Sequence, residues 1–148
     1  MSTKQRTKTE NWSGKFFGSV TKMEGLPVPD TDGHFVGLMV IDGVVIYDNG
    51  EIAWSKANVI FDVTKGKGIF AQYSTSTFQD GGTISSYVKS KVVGGPTNKW
   101  TDKIINGTGR FKGIKGTINF NVKYPSPEGG VGRKIIGEFT SAFTLSPK

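Results

Sequence analysis

The sequence predicts an all-β protein folded as an eight-stranded antiparallel up-and-down β-barrel, and three observations carry that expectation. Eight β-rich segments follow one another, at approximately 15–21, 35–48, 51–64, 69–78, 83–93, 100–106, 114–124 and 133–145. Asx-Gly pairs stand at Asp32-Gly33, Asp42-Gly43, Asn49-Gly50, Asp80-Gly81 and Asn106-Gly107, and both residue types tolerate the left-handed backbone that hairpin turns need. No window carries a helical stripe, so nothing supplies the crossover helices of a parallel sheet. An open sheet of this size would leave two exposed edges, and closure into a barrel removes them.

The first segment, Lys15-Phe16-Phe17-Gly18-Ser19-Val20-Thr21, holds neither an acid nor an amide, and the following Glu24-Gly25-Leu26-Pro27 reads as an exposed loop. The second contains the longest wholly apolar or glycine run, Phe35 to Ile41, which is far too short to cross a bilayer. In the third, Asp62 opposes Phe61 and Val63 and points away from the core. The fourth offers Phe70, Gln72, Ser74, Ser76 and Phe78 on one face, and Ile69, Ala71, Tyr73, Thr75 and Thr77 on the other. In the fifth, Ile84, Ser86, Val88, Ser90 and Val92 oppose Tyr87, Lys89 and Lys91. Lysines prefer water, so the Ile84–Val92 face points inward.

The sixth segment runs into a glycine-rich stretch, residues 106–116, whose cations are Arg110, Lys112 and Lys115. Before a helix, such a loop would suggest a phosphate cradle. Here it opens a strand in which Ile118, Phe120, Val122 and Tyr124 alternate with Asn119, Asn121 and Lys123. The glycine spacing misses the dinucleotide fingerprint, and no Gly-Lys-Ser/Thr ending follows. The stretch is therefore a β corner, and its cations are rim or surface charges. Pro125, Pro127, Gly129 and Gly130 mark the loop before the last segment, where Glu138 alternates with Phe139 and Phe143 and faces out.

With 148 residues the chain makes one domain, expected over 13–148, behind a mobile basic tail over 1–12 that includes Lys4, Arg6 and Lys8. The absence of cysteine excludes disulfides, thiolate metal sites and cysteine nucleophiles. His34 is the only histidine, so no metal site is expected, and no metal or nucleotide cofactor is called for. The start of the chain holds no apolar signal region, which points to a cytoplasmic protein with no membrane partner. The net charge of +7 is spread thinly; Lys-Gly-Lys-Gly-Ile-Phe at 65–70 only faintly resembles a nucleic-acid stripe, so nucleic acid is not the expected partner.

Eight strands enclose an interior that is either just filled or holds one small ligand. Ser86 and Ser90 sit where a filled core would hold branched aliphatics. If the Phe70–Phe78 face also points in, the lumen has small polar groups between apolar ends, which is how pockets are built. The alternative is that Phe70 faces out and Tyr73 fills the core.

Phe78-Gln79-Asp80-Gly81-Gly82-Thr83-Ile84-Ser85, and after it Ile105-Asn106-Gly107-Thr108-Gly109-Arg110-Phe111-Lys112-Gly113-Ile114-Lys115-Gly116, resemble the allene oxide cyclase-like barrel superfamily, which includes the dirigent proteins. Tyr47-Asp48-Asn49-Gly50-Glu51 is similar to what precedes a core strand there. The resemblance spans roughly 33–145 and implies an eight-stranded barrel with an apolar lumen, assembled as a dimer or trimer. It does not carry the plant cyclase chemistry: the first strand lacks the glutamate and asparagine, the cysteine position falls near Ala57 and the tyrosine position near Ser90. Phe70 keeps a lining aromatic. Dirigent proteins set aspartates and arginines in the lumen, and the inward faces read above offer no such set.

The expected function is binding of one small apolar organic molecule in the lumen, lined by Leu38, Val40, Ala57, Phe61, Phe70, Gln72 and Ser90. Orientation alone lowers barriers by several kcal/mol, so such a barrel could act as a cyclase, isomerase or lyase by templating. The competing readings are a non-catalytic binding protein and a filled structural barrel that works through its surface.

Overall fold

A computed structural model describes residues 8–92, 95–125 and 129–146. It is a closed antiparallel barrel in which each strand pairs with the next and β8 returns to β1. The strands are β1 (Thr9–Pro27), β2 (His34–Tyr47), β3 (Ile52–Thr64), β4 (Lys67–Phe78), β5 (Thr83–Val92), β6 (Thr97–Thr108), β7 (Lys115–Lys123) and β8 (Lys134–Thr144). Among the described residues no helix is long and apolar enough to cross a membrane.

Three boundaries differ from the sequence expectation. Residues 9–12 begin β1 rather than ending a tail, because Thr9 to Trp12 pair with Thr144 to Ser141; residues 1–7 of the expected tail, and Pro127, lie outside the described residues. Glu24 to Pro27 are exposed as expected but paired with β2, not looped. Asp42-Gly43 and Asn106-Gly107 are not turns and lie inside β2 and β6. Gly43 pairs with Gly18, and added Cβ atoms there would stand 2.6 and 2.5 Å from the Phe16 ring. The two glycines are a slot for an aromatic side chain, which sequence cannot distinguish from a turn.

The true turns sit at the two ends. Asn49-Gly50 and Asp80-Gly81 turn as expected, with positive φ at each glycine. Lys65-Gly66 makes a two-residue hairpin with both φ positive, the primed geometry that matches strand twist. With these connections every odd strand runs toward one end, here the mouth, and every even strand runs back.

The other end is stoppered. At residues 109–111 the glycine-rich stretch forms a single 3₁₀ turn, which drives Phe111 into the barrel base at 1% exposure. Trp12 meets Tyr47, Phe78, Phe111 and Phe143 edge-on, with ring centroids between 5.2 and 6.3 Å apart. Arg110 lies over Phe78 and Phe111 and pairs with Glu51 and Asp80, so the corner reading of its charge holds. A second apolar cluster, around Val20, Ile41, Ala57, Val59, Phe70 and Val122, lines the upper barrel. The barrel is a cup with one open end.

Candidate functional site

The strand phases decide what the cup presents inside. Along β4, Phe70, Gln72 and Phe78 are buried while Ile69 and Tyr73 are exposed. Along β5, Ile84, Ser86 and Val88 are buried and Lys89 and Lys91 are exposed. The Phe70 face therefore points inward, and the barrel is hollow: a cavity of about 420 Å³ runs down from the mouth. That lies in the ~300–1,000 Å³ range of small-molecule sites.

The cavity has two unlike walls. Phe16, Val20, Ile41, Val122, Ile135 and Phe139 make an apolar one. Facing it, Ser55 on β3, Gln72, Ser74 and Ser76 on β4, and Ser86 on β5 make a polar one. Gln72 Nε2 donates to Ser74 Oγ at 3.0 Å.

Behind Ser86 lies the one buried carboxyl among the described residues. Asp102 on β6 is 0% exposed, and Ser86 Oγ donates to its Oδ2 at 2.6 Å. Burial pushes its pKa up from 3.8 to about 6, against the opposing effects of Ser86 and the Trp100 indole. Trp100 lies close enough to favour the carboxylate, yet both its Nε1 and Asp102 Oδ1 are buried without completing a hydrogen bond. Asp102 itself is off the cavity wall; Ser86 and Trp100, which stand on either side of its carboxyl, are the groups that reach the lumen. Tyr124 and Arg133 stand at the mouth, the guanidinium 4.2 Å from the tyrosine ring centroid. Burial raises the Tyr124 pKa, so its hydroxyl stays protonated.

Of the lining residues expected from sequence, Ala57, Phe61, Phe70 and Gln72 lie on the cavity wall. Ser90 shares the inward face of β5 opposite Phe70 but stays off the wall. Leu38 and Val40 are corrected: they point outward, and Met39 and Ile41 take the inner positions. The reason is that Phe35–Ile41 is apolar on both faces, so its phase cannot be read from alternation. The expectation of a lumen without arginine is also overturned, by Arg133, while Asp102 is buried behind Ser86 and does not line the cavity. Asp102 had a legible signal: Asn98, Trp100, Asp102 and Ile104 alternate with Lys99, Thr101 and Lys103, which puts an acid in phase with core residues. Arg133 had none, since it precedes β8 in a loop.

His34 is placed elsewhere, on the rim. Its Nδ1 meets Asp30 Oδ1 at 2.6 Å and its Nε2 meets Asp62 Oδ1 at 2.7 Å. Among the described residues no group of three or more potential metal ligands converges.

No protein-family description matches the sequence, and no curated protein matches it. Solved structures do. Two pterocarpan synthase dirigent proteins superpose with TM-scores of 0.63 and 0.62 at 17% and 16% identity, over 97% of this chain in both cases and 94% and 99% of theirs. A pyocyanin demethylase superposes at 0.53 and 15% identity, over 86% of this chain and 98% of its own. At these identities the likeness is one of fold, and the fold is the dirigent-like, allene oxide cyclase-like barrel to which the glycine-rich corner pointed.

Proposed function

We propose that the barrel binds one small, largely apolar organic molecule in its lumen and rearranges it by cyclisation or isomerisation. The observation that carries this reading is the cavity of about 420 Å³ whose wall includes Ser86, its hydroxyl donating to the buried carboxyl of Asp102 behind it. The Asp102 pKa of about 6 lies near neutrality, where a group can both take and return a proton. The smooth wall folds the ligand into a reactive conformation. Ser86 Oγ then takes a proton from one ligand atom as its own hydroxyl proton passes to Asp102 Oδ2, and the reverse relay returns a proton to another ligand atom, so the step closes without a co-reactant. Ser86 holds Oδ2 and fixes the carboxyl's orientation throughout. That the neighbours in fold include proteins described as a pterocarpan synthase and a pyocyanin demethylase supports a lumen that handles a small organic molecule.

The test begins with native mass spectrometry of whatever co-purifies with the chain, followed by turnover of that compound. Asp102→Asn keeps the shape and the Ser86 contact but cannot exchange the proton. The expected outcome is retained binding with turnover reduced at least about a hundredfold. Undiminished turnover would remove Asp102 from the chemistry, and binding without any turnover in the wild-type chain would make the barrel a carrier.

We also propose that the protein assembles with further copies of itself as a dimer or trimer. In support, Ile136, Phe17, Val44 and Trp54 face each other in register across β8, β1, β2 and β3 on the outside of the barrel, an apolar row of the kind that oligomer faces present.

A further inference from the structure

Taking the lumen as the ligand site, we propose that its ligand is an organic anion, an apolar body bearing one carboxylate or sulfonate that Arg133 holds at the mouth. The Arg133 backbone is fixed: its carbonyl accepts from Val20 N at 2.9 Å and its N–H donates to the Gly130 carbonyl at 3.2 Å. Its side chain lines the cavity beside Tyr124, and its Nε is buried without a hydrogen bond. With Nε buried, the two terminal nitrogens are the planar fork that grips a carboxylate through two parallel hydrogen bonds. An aromatic ring beneath the fork positions it without neutralising it, so the charge remains available.

The surrounding rim has the same sign. Lys65, Lys67, Lys91, Lys123 and Lys134 stand exposed at the mouth ends of β3 to β8. The described acids of the rim, Glu24, Asp30, Asp32 and Asp62, belong to β1, the β1–β2 loop and β3; Glu24 meets Lys22, and Asp30 and Asp62 meet His34. Among the described residues the charges at the mouth over β4 to β8 are therefore positive, and such a field draws anions to a cleft. Deeper in the cup the sign reverses at Asp102, which disfavours a second anionic group. These two poles orient the ligand: its anion at Arg133, its body along the apolar wall, and a hydrogen-bonding group at Ser86 in front of Asp102.

Two fluorescent probes sharing one aromatic body test this: anilinonaphthalene sulfonate, which is anionic, and N-phenylnaphthylamine, which is neutral. The wild-type chain should bind the anionic probe at least about tenfold more tightly, a difference of the size a charge-assisted fork supplies. Arg133→Gln should abolish that preference while leaving the neutral probe's affinity unchanged, which also reports an intact lumen. Ala57→Trp should abolish binding of both. Equal affinities on the wild type, or a preference that survives Arg133→Gln, overturn the anion proposal and leave the lumen standing. If neither probe binds, or if Ala57→Trp changes neither affinity, the lumen reading falls and this proposal falls with it.

Discussion

Asp102 is held in a place that opposes its own ionisation. Its pKa is raised from 3.8 to about 6, so the folded chain binds its proton more tightly than the unfolded one. Stability therefore falls as pH rises between about 4 and 6, and stays lowered above that. A shift of this size corresponds to roughly 3 kcal/mol. Asp102→Asn should accordingly melt at a higher temperature than wild type at pH 7 and lose that advantage near pH 4; denaturant titrations across this range would show it. Equal stability at both pH values would mean that the carboxyl is solvated. A stabilising substitution at a proposed reactive residue is the usual trade between activity and stability. His34 works in the other direction. Hydrogen bonds to Asp30 and then Asp62 raise its pKa, so its contribution is present below about pH 6.5 and fades as pH climbs through the higher folded value. The Asp30 pKa is lowered, chiefly by the bond to His34, so that carboxylate's share fades only as pH falls below its usual range near 3.8. The melting-temperature gap between wild type and His34→Asn should therefore be widest near pH 5 and shrink by pH 8. A gap constant over this interval would show that the clasp does not depend on charge.

The 3₁₀ turn at residues 109–111 is short, yet it decides which end of the barrel is closed. Gly109 and Gly113 flank it with positive φ, and Phe111 between them fills the base. Phe111→Ala should cost about 3–5 kcal/mol, the range for a buried aromatic whose space cannot collapse. Chemical denaturation would measure it, and a loss under about 1 kcal/mol would mean that the stopper contributes little. Element boundaries were legible where turn chemistry and alternation agreed, as at Asn49-Gly50 and along β4 and β5. They were not legible where one pattern served two purposes. Gly43 looked like a turn residue but clears space for Phe16, and Leu38 and Met39 were indistinguishable because both faces of that stretch are apolar. On β6 the alternation of Asn98, Trp100, Asp102 and Ile104 with Lys99, Thr101 and Lys103 makes the phase readable.

The barrel as a whole presents two surfaces with separate consequences. Inside, Ala57 lies on the wall at 4% exposure, so Ala57→Trp places an indole in the cavity while leaving the outer surface unchanged. Outside, Trp54 is 54% exposed at the end of the apolar row that Phe17 and Val44 continue. Trp54→Lys should shift sedimentation toward the monomer without changing probe affinity in the lumen. A wild-type chain that sediments as a monomer at high concentration would end the assembly proposal.

Local chemistry was enough to specify the number of strands, their antiparallel order and the closure of the sheet. Each of those follows from alternation, from turn residues and from the cost of open edges, all of which lie within a few residues of one another. The inward placement of Asp102 on β6 also follows from alternation. What sets the site apart does not: the buried carboxyl behind Ser86, the guanidinium over Tyr124, and the stoppered base under an open mouth all join residues from different strands and loops. Desolvation and the pairing of buried charge arise only when the barrel closes, because they depend on what the other strands bring to the same point in space.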